Sequence, residues 1–170
     1  MMMFRRLLCV VAGAALAVMA VPATAQDLIG LTRAIGLAER SLSARAIEGE
    51  LETSGGRLVY EIDLVRGQLL HRVRVDARTG KLVSAVKPRA ENWLRGWFDK
   101  DRLRSGGKAT ALADHLVELE RHSRGEVKEV EFEIRKGRAV YEIELATAAG
   151  VGKVLLDAST GRRIALAYDD

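Results

Sequence analysis

Two stretches of this chain decide its fold: RLVYEIDL at residues 57–64 and RAVYEIEL at residues 138–145. The second stretch lies 81 positions after the first, and the same offset carries VRVDARTG at residues 73–80 onto VLLDASTG at residues 154–161 without a gap. A register that persists between two distant stretches indicates that one structural unit occurs twice.

Each copy begins with a helical pattern. Apolar residues recur at the spacing of one helix face, at Leu28, Leu31, Ile35, Ala38 and Leu42 in the first copy and at Leu112, Leu116 and Leu119 in the second. Alternation of apolar and polar residues then replaces this period, which predicts half-buried antiparallel strands. The repeated stretch is one of these strands. An earlier strand contains Val130, Phe132 and Ile134, and a third covers residues 69–75 or 151–156.

The order of one helix and three strands predicts an α+β protein of two tandem small modules, each a helix packed on a three-stranded antiparallel sheet. Module 1 occupies residues 26–86, and module 2 occupies residues 109–170. Because a module of about 60 residues buries little core by itself, we expect the two modules to pack on each other.

Residues 87–108 match neither repeat, and Pro88 and Gly106-Gly107 favour a linker here, with one short amphipathic helix. That helix carries an apolar stripe on one face, formed by Trp93, Leu94, Trp97 and Phe98. The stripe either docks between the modules and adds core, or stays accessible as the anchor for a partner protein. The sequence leaves both interpretations open.

The N-terminus has the composition of a secretory signal peptide. Arg5 and Arg6 precede an apolar run at residues 7–20, and Ala23-Thr24-Ala25 is a cleavage motif. The run is shorter than the ~20 residues that a membrane-spanning helix needs. We therefore expect residues 1–25 to be removed, which leaves no transmembrane anchor, and we expect the mature protein to be periplasmic or secreted.

Charge and composition exclude several classes of function. Loss of two arginines with the signal peptide lowers the formal net charge from +4 to +2, and acidic and basic residues alternate, so we expect no nucleic-acid partner. The single cysteine, Cys9, lies in the signal peptide, which excludes disulfides and thiolate sites. The sequence has neither a G-x-S-x-G nucleophile motif nor an H-E-x-x-H zinc motif, and we predict no catalytic residues, no cofactor and no metal site.

His115 and His122 are the candidate metal ligands, since both lie on the second predicted helix. They are seven positions apart, whereas ligands that share a face closely are three or four apart. We therefore interpret both as ordinary exposed side chains.

The sequence D-A-x-T-G follows the third strand of each copy. Asp76 and Asp157 can accept hydrogen bonds from the backbone N–H groups that follow them, while Gly80 and Gly161 adopt a left-handed conformation. We predict that both segments are structural turns.

The helix, the strand around Tyr60 or Tyr141, and the strand that ends in D-A-x-T-G together resemble the PepSY domain family. The resemblance covers about residues 28–86 and 109–168. It implies a non-catalytic module of the kind found in propeptides of thermolysin-type peptidases and in bacterial envelope proteins, where it restrains proteases or binds peptide-like partners. No peptidase domain follows in this sequence, so we expect any protease partner to be a separate chain.

Rows of acidic residues mark the outer face of the predicted sheets. In the second copy they are Glu129, Glu131, Glu133, Glu142 and Glu144, and the first copy has carboxylates at the same positions. Basic residues of the third strand oppose them, so cross-strand ion pairing on a solvated face is one interpretation. A recognition surface for a partner is the other.

These features predict a non-catalytic periplasmic binding or regulatory protein whose partner is a protein or peptide of the cell envelope. It would inhibit a protease in trans or modulate an envelope sensor. The alternative is a periplasmic cation-binding protein that uses the acidic sheet faces.

Overall fold

One antiparallel sheet of eight strands runs through both modules in the computed structural model, which describes residues 27–86, 104–106 and 108–168. The strand order is β4-β3-β2-β1-β5-β6-β7-β8, so each module contributes four consecutive strands and the two first strands meet in the middle. The predicted signal peptide and most of the predicted linker lie outside the described residues.

Each module is a helix followed by four strands. Module 1 contains α1 (Leu31–Leu42), β1 (Arg45–Ser54), β2 (Arg57–Arg66), β3 (Leu69–Asp76) and β4 (Leu82–Val86). Module 2 contains α2 (Leu112–Ser123), β5 (Glu126–Arg135), β6 (Arg138–Thr147), β7 (Gly150–Asp157) and β8 (Arg163–Tyr168). Residues 104–106 form a further short helical turn. Every element of module 1 begins 81 positions before its counterpart in module 2.

The joint sheet corrects the prediction of two separate sheets. β1 pairs antiparallel with β5, with Glu48 opposite Glu131 and Gly49 opposite Val130. In separate modules β1 and β5 would be edge strands with unpaired backbone N–H and C=O groups, and their pairing covers part of both edges. The sequence did not predict this because alternating apolar and polar residues are typical of edge strands and inner strands alike.

The prediction of three strands in each module was also wrong, because β4 and β8 add a fourth. Each follows the D-A-x-T-G turn and pairs with the strand before it. Leu82 and Val83 are adjacent in β4, and each is 49% exposed. Consecutive exposed apolar residues give no alternation, so the pattern that predicted the other strands was missing here.

Both helices cover the same face of the sheet and share one core. Leu31 and Ile35 of α1 and Leu112 and Leu116 of α2 are fully buried in it. The helices approach closely at Gly36, where a Cβ atom would lie 3.3 Å from the Cβ of Ala113. Glycine inside a helix costs about 1 kcal/mol relative to alanine, and this contact explains its presence. The opposite face of the sheet, which neither α1 nor α2 covers, is called the open face below.

Candidate binding surface

The open face carries carboxylates on its four central strands. Strand pairing places Glu50 beside Glu61 and Glu131 beside Glu142 within the modules, and Glu48 beside Glu131 across the seam between them. We call the whole set the acidic face. Its members are Glu48, Glu50, Glu52, Glu61, Asp63, Glu129, Glu131, Glu133, Glu142 and Glu144. The five carboxylates that the sequence singled out in module 2 therefore lie together on one surface.

Arginines of β3 neutralise the module 1 side of the acidic face. The Nε atom of Arg72 donates to Oδ1 of Asp63 at 2.7 Å, and its Nη1 atom lies 2.7 Å from Oε1 of Glu61. Nη2 of Arg74 lies 2.7 Å from the other oxygen of Glu61. Glu61 and Asp63 are themselves buried. Cross-strand ion pairing therefore accounts for this side of the face.

Module 2 has a similar but more exposed arrangement. Nζ of Lys153 on β7 donates to Oε1 of Glu142 at 2.7 Å, and Arg135 contacts both Glu142 and Glu133. The pKa of Glu142 is lowered, mainly by the hydrogen bond from the Lys153 ammonium group. Glu142 and Glu144 are half-buried, so this side of the acidic face remains accessible.

Three carboxylates near the seam, where β1 and β5 meet, have no cationic partner among the described residues. Glu50, Glu52 and Glu129 form no ion pair with any residue that the structure describes. Burial raises the pKa of Glu50, and the negative charges of Glu52, Glu129, Glu48 and Glu61 raise it further. Within the described residues, the seam is therefore a concentration of negative charge, and such a surface attracts cations.

The two D-A-x-T-G segments share three hydrogen bonds to Oδ1 of the aspartate. Oδ1 of Asp76 accepts from the backbone N–H of Thr79 at 2.8 Å and from its hydroxyl at 2.8 Å, and Gly80 has φ +71°. These bonds lower the pKa of Asp76, and the bond from the backbone N–H of Thr79 has the largest effect. Residues 157–161 repeat the arrangement, with Gly161 at φ +67°. Each turn returns the chain into the last strand of its module.

Asp157 has two additional partners in the second turn. Its Oδ1 atom accepts from the hydroxyl of Ser159 at 2.6 Å, and its Oδ2 atom accepts from Nε of Arg138 at 2.9 Å. The Ser159 hydroxyl is the main cause that lowers the pKa of Asp157. The carboxylate stabilises a turn and is already surrounded by donors, so we assign it no catalytic role.

The two histidines of α2 differ in their surroundings. His115 is half-buried, its Nε2 atom lies 2.7 Å from the hydroxyl of Thr110, and its ring packs against Gly161. The expectation that both histidines are exposed is therefore wrong for His115, whereas His122 is exposed. Within the described ranges, no group of three or more histidine, aspartate, glutamate or cysteine side chains could hold a metal ion.

Glu39 is a residue that sequence reasoning missed. It is 6% exposed, and its Oε1 atom accepts from the backbone N–H groups of Ala46 at 3.1 Å and Leu112 at 3.3 Å. Its Oε2 atom accepts from Ala113 at 3.4 Å. Leu112 and Ala113 begin α2, so a carboxylate of module 1 caps the first turn of the module 2 helix. Glu120, 81 positions later, accepts from Val127 at 2.9 Å and from no other residue that the structure describes.

The signal for Glu39 was present in the sequence. It follows Ala38 on the apolar face of α1, between Ile35 and Leu42, where a charged residue is not expected. Glu120 occupies the same position of the repeat. A polar residue that recurs on a buried helix face indicates a buried hydrogen-bond network.

Residues 29–86 match the family described as “Peptidase propeptide and YPEB domain”, abbreviated PepSY. The match begins just before α1 and ends with β4, so it covers the helix and all four strands of module 1. Residues 29–86 are a PepSY domain. This confirms the resemblance for module 1, and module 2 repeats every element of the PepSY domain at an offset of 81 positions.

A solved structure is also similar to this chain. The crystal structure of a “putative lipoprotein” from Clostridium difficile 630 is 16% identical and has a TM-score of 0.43, with 84% of this chain and 95% of that chain covered. No curated protein matches the sequence. None of the helices within the described residues is long and apolar enough to span a membrane. The predicted binding residues Trp93, Trp97 and Phe98 lie outside the described residues.

Proposed function

We propose that this protein is a non-catalytic binding protein of the cell envelope that restrains a peptidase in trans. The single observation that carries the proposal is the PepSY domain at residues 29–86, whose family is described by its occurrence in peptidase propeptides. The predicted signal peptide supports the location, because it would deliver the protein to the compartment where exported peptidases act.

The acidic face is the surface that we assign to the partner. Ion pairs neutralise its outer parts, but Glu50, Glu52 and Glu129 at the seam have no cationic partner among the described residues. A partner with lysine or arginine side chains would relieve the repulsion among these carboxylates. The proposed partner surface is therefore basic.

Module 2 offers the more accessible half of that face. Glu129 and Glu131 on β5 are exposed, whereas Glu61 and Asp63 on β2 of module 1 are buried in ion pairs. Electrostatic attraction between solvent-exposed groups acts mainly on the association rate and on specificity. We therefore place the first contact with the partner on β5 and β6.

Site-specific crosslinking in intact cells tests this proposal. A photoreactive amino acid at position 131 should capture one discrete envelope protein. The same amino acid at position 117 is the matched control, since Val117 is 53% exposed but lies on α2, away from the acidic face. Equal capture from both positions, or capture from neither, contradicts the assigned surface.

An activity assay then tests the function itself. The captured protein should be a peptidase whose hydrolysis of a peptide substrate decreases when the purified protein is added. Glu129→Gln with Glu131→Gln should weaken that inhibition, while Asp114→Asn with Glu118→Gln removes two charges from α2 and should not. A captured peptidase whose activity does not change would overturn the inhibitor proposal, and a captured sensor protein would favour modulation of an envelope partner.

A further inference from the structure

A cavity lies on the helix side of the sheet in module 2, at the C-terminal end of α2. It has a volume of about 380 Å³, and its apolar walls include Leu119, Leu145 and Val154. Arg124 and Arg163 also line it. Pockets that bind small molecules typically have volumes of ~300–1,000 Å³ and mostly apolar walls. The cavity is therefore large enough for a small ligand.

Comparison with module 1 shows why the cavity exists. Ser123 in the lining replaces Leu42, and Gly152 replaces His71, at the common offset of 81 positions. Leu42 packs against the core of module 1, and His71 is only 6% exposed. The change from Ala38 to Leu119 reduces the space instead, because leucine is larger than alanine. Two large side chains of the repeat are thus replaced by small ones at this place.

The hydroxyl groups in the cavity wall already form hydrogen bonds within the protein. Ser123 Oγ donates to the carbonyl of Leu119 at 2.7 Å and accepts from the N–H of Gly125 at 3.2 Å. Thr147 Oγ1 donates to the carbonyl of Gly150 at 3.0 Å and accepts from a backbone N–H at 3.2 Å. The lining therefore offers few hydrogen-bond partners to a peptide backbone, whose N–H and C=O groups would be unsatisfied inside it.

The guanidinium groups of Arg124 and Arg163 are the polar groups of the lining that remain available to a ligand. Neither Arg124 nor Arg163 forms an ion pair with a residue that the structure describes, and both are exposed. A carboxylate is the natural partner of an arginine, since it accepts two parallel hydrogen bonds. Apolar walls with two available arginines suit a ligand that has an apolar body and one anionic group.

We propose that this cavity binds a fatty carboxylate, with its hydrocarbon chain against Leu119, Leu145 and Val154 and its carboxylate at Arg124 and Arg163. Burial of the chain contributes about 25 cal/mol per Å² of apolar surface, and the arginines select the anionic head group. The site is distinct from the acidic face, which lies on the opposite side of the sheet.

Titration calorimetry with sodium dodecanoate below its micellar concentration tests the proposal. Dodecanoate should bind with one site per chain, and dodecyltrimethylammonium should bind at least tenfold more weakly. Methyl NMR of the unmodified protein should localise the shifts to Leu119, Leu145 and Val154. Binding that is equally strong for both head groups, shifts spread over module 1, or no binding would overturn it.

Variants test each half of the site. Ser123→Leu introduces the side chain found in module 1 and should weaken binding at least tenfold, and so should Arg124→Gln with Arg163→Gln. Arg33→Gln with Arg78→Gln removes the same charge elsewhere and should change affinity less than twofold. Unchanged affinity in the pocket variants contradicts the proposed site. Tighter binding of a peptide with a C-terminal leucine would assign the cavity to a peptide instead.

Discussion

Glu39 should stabilise the junction of the modules more than its counterpart Glu120 stabilises module 2. Glu39→Ala removes three hydrogen bonds and leaves two buried backbone N–H groups, of Ala46 and Leu112, without this acceptor. Glu120→Ala removes one bond, to Val127. The two substitutions delete the same atoms at equivalent positions of the repeat. They are therefore a matched pair that isolates the contact between the modules.

The expected magnitudes follow from the number of bonds. A hydrogen bond to a charged group contributes about 1.5–3 kcal/mol, so Glu120→Ala should lower the free energy of unfolding by about 1–2 kcal/mol after discounting its partial exposure. Glu39→Ala loses that contribution and the cap of α2, which is worth about 1–2 kcal/mol, and it leaves buried donors, so about 3–5 kcal/mol is expected. At about 2–4 °C per kcal/mol, the midpoints should fall by about 10 °C and about 4 °C.

Urea denaturation followed by circular dichroism measures both free energies. The slope of the free energy against urea concentration should stay the same in the two variants, which shows that the same surface is exposed on unfolding. Equal losses for Glu39→Ala and Glu120→Ala would refute the reasoning, because the additional bonds to Leu112 and Ala113 would then contribute nothing.

The remaining predictions concern charge, processing and the linker. Burial and like charges raise the pKa of Glu50. Ionisation of Glu50 therefore opposes folding at pH values above the pKa of glutamate in the unfolded chain, which is about 4.3. Glu50→Gln should raise the free energy of unfolding at pH 7 and have little effect at pH 3. Glu142→Gln should lower the free energy of unfolding at pH 7, because Lys153 lowers the pKa of Glu142 and its ionised form stabilises the folded protein. The ionised carboxylate loses this stabilising effect only as the pH falls through its lowered pKa. Intact-mass measurement on the exported protein should find Gln26 as its first residue. Elemental analysis should find no stoichiometric transition metal. Changing Trp93 and Trp97 to alanine should cost about 3–5 kcal/mol each if they are core, and should abolish partner capture without loss of stability if they are the binding anchor.

The repeat and the alternation of residues were enough to predict the elements with strong patterns. The helices begin at Leu31 and Leu112, and β2 and β6 contain the duplicated stretch, because their buried faces impose regular spacing on the sequence. β4 and β8 were missed because edge strands with exposed apolar residues have no such constraint. Periodicity therefore predicts the parts of a fold whose two faces have different environments.

The joint sheet was not predictable in the same way. Pairing of β1 with β5 depends on backbone groups, which every residue except proline carries, so the side-chain pattern contains little information about it. The acidic face was predicted as rows of carboxylates within modules. Glu50, Glu52 and Glu129, which have no ion pair with any described residue, come close together only because the two modules share one sheet.

Duplication with later divergence explains how two modules of one design present different surfaces. In module 1, Leu42 and His71 occupy the positions that line the cavity in module 2, and the carboxylates of β2 are buried in ion pairs with β3. In module 2, Ser123 and Gly152 leave a cavity, and Glu129 and Glu131 are exposed. Module 1 therefore contributes the cap that Glu39 provides for α2 and the half-buried Glu50 and Glu52 at the seam, and module 2 presents the cavity and the exposed carboxylates. Since the cavity and the exposed carboxylates Glu129 and Glu131 lie on opposite sides of the sheet, a variant of either can be tested without altering the other.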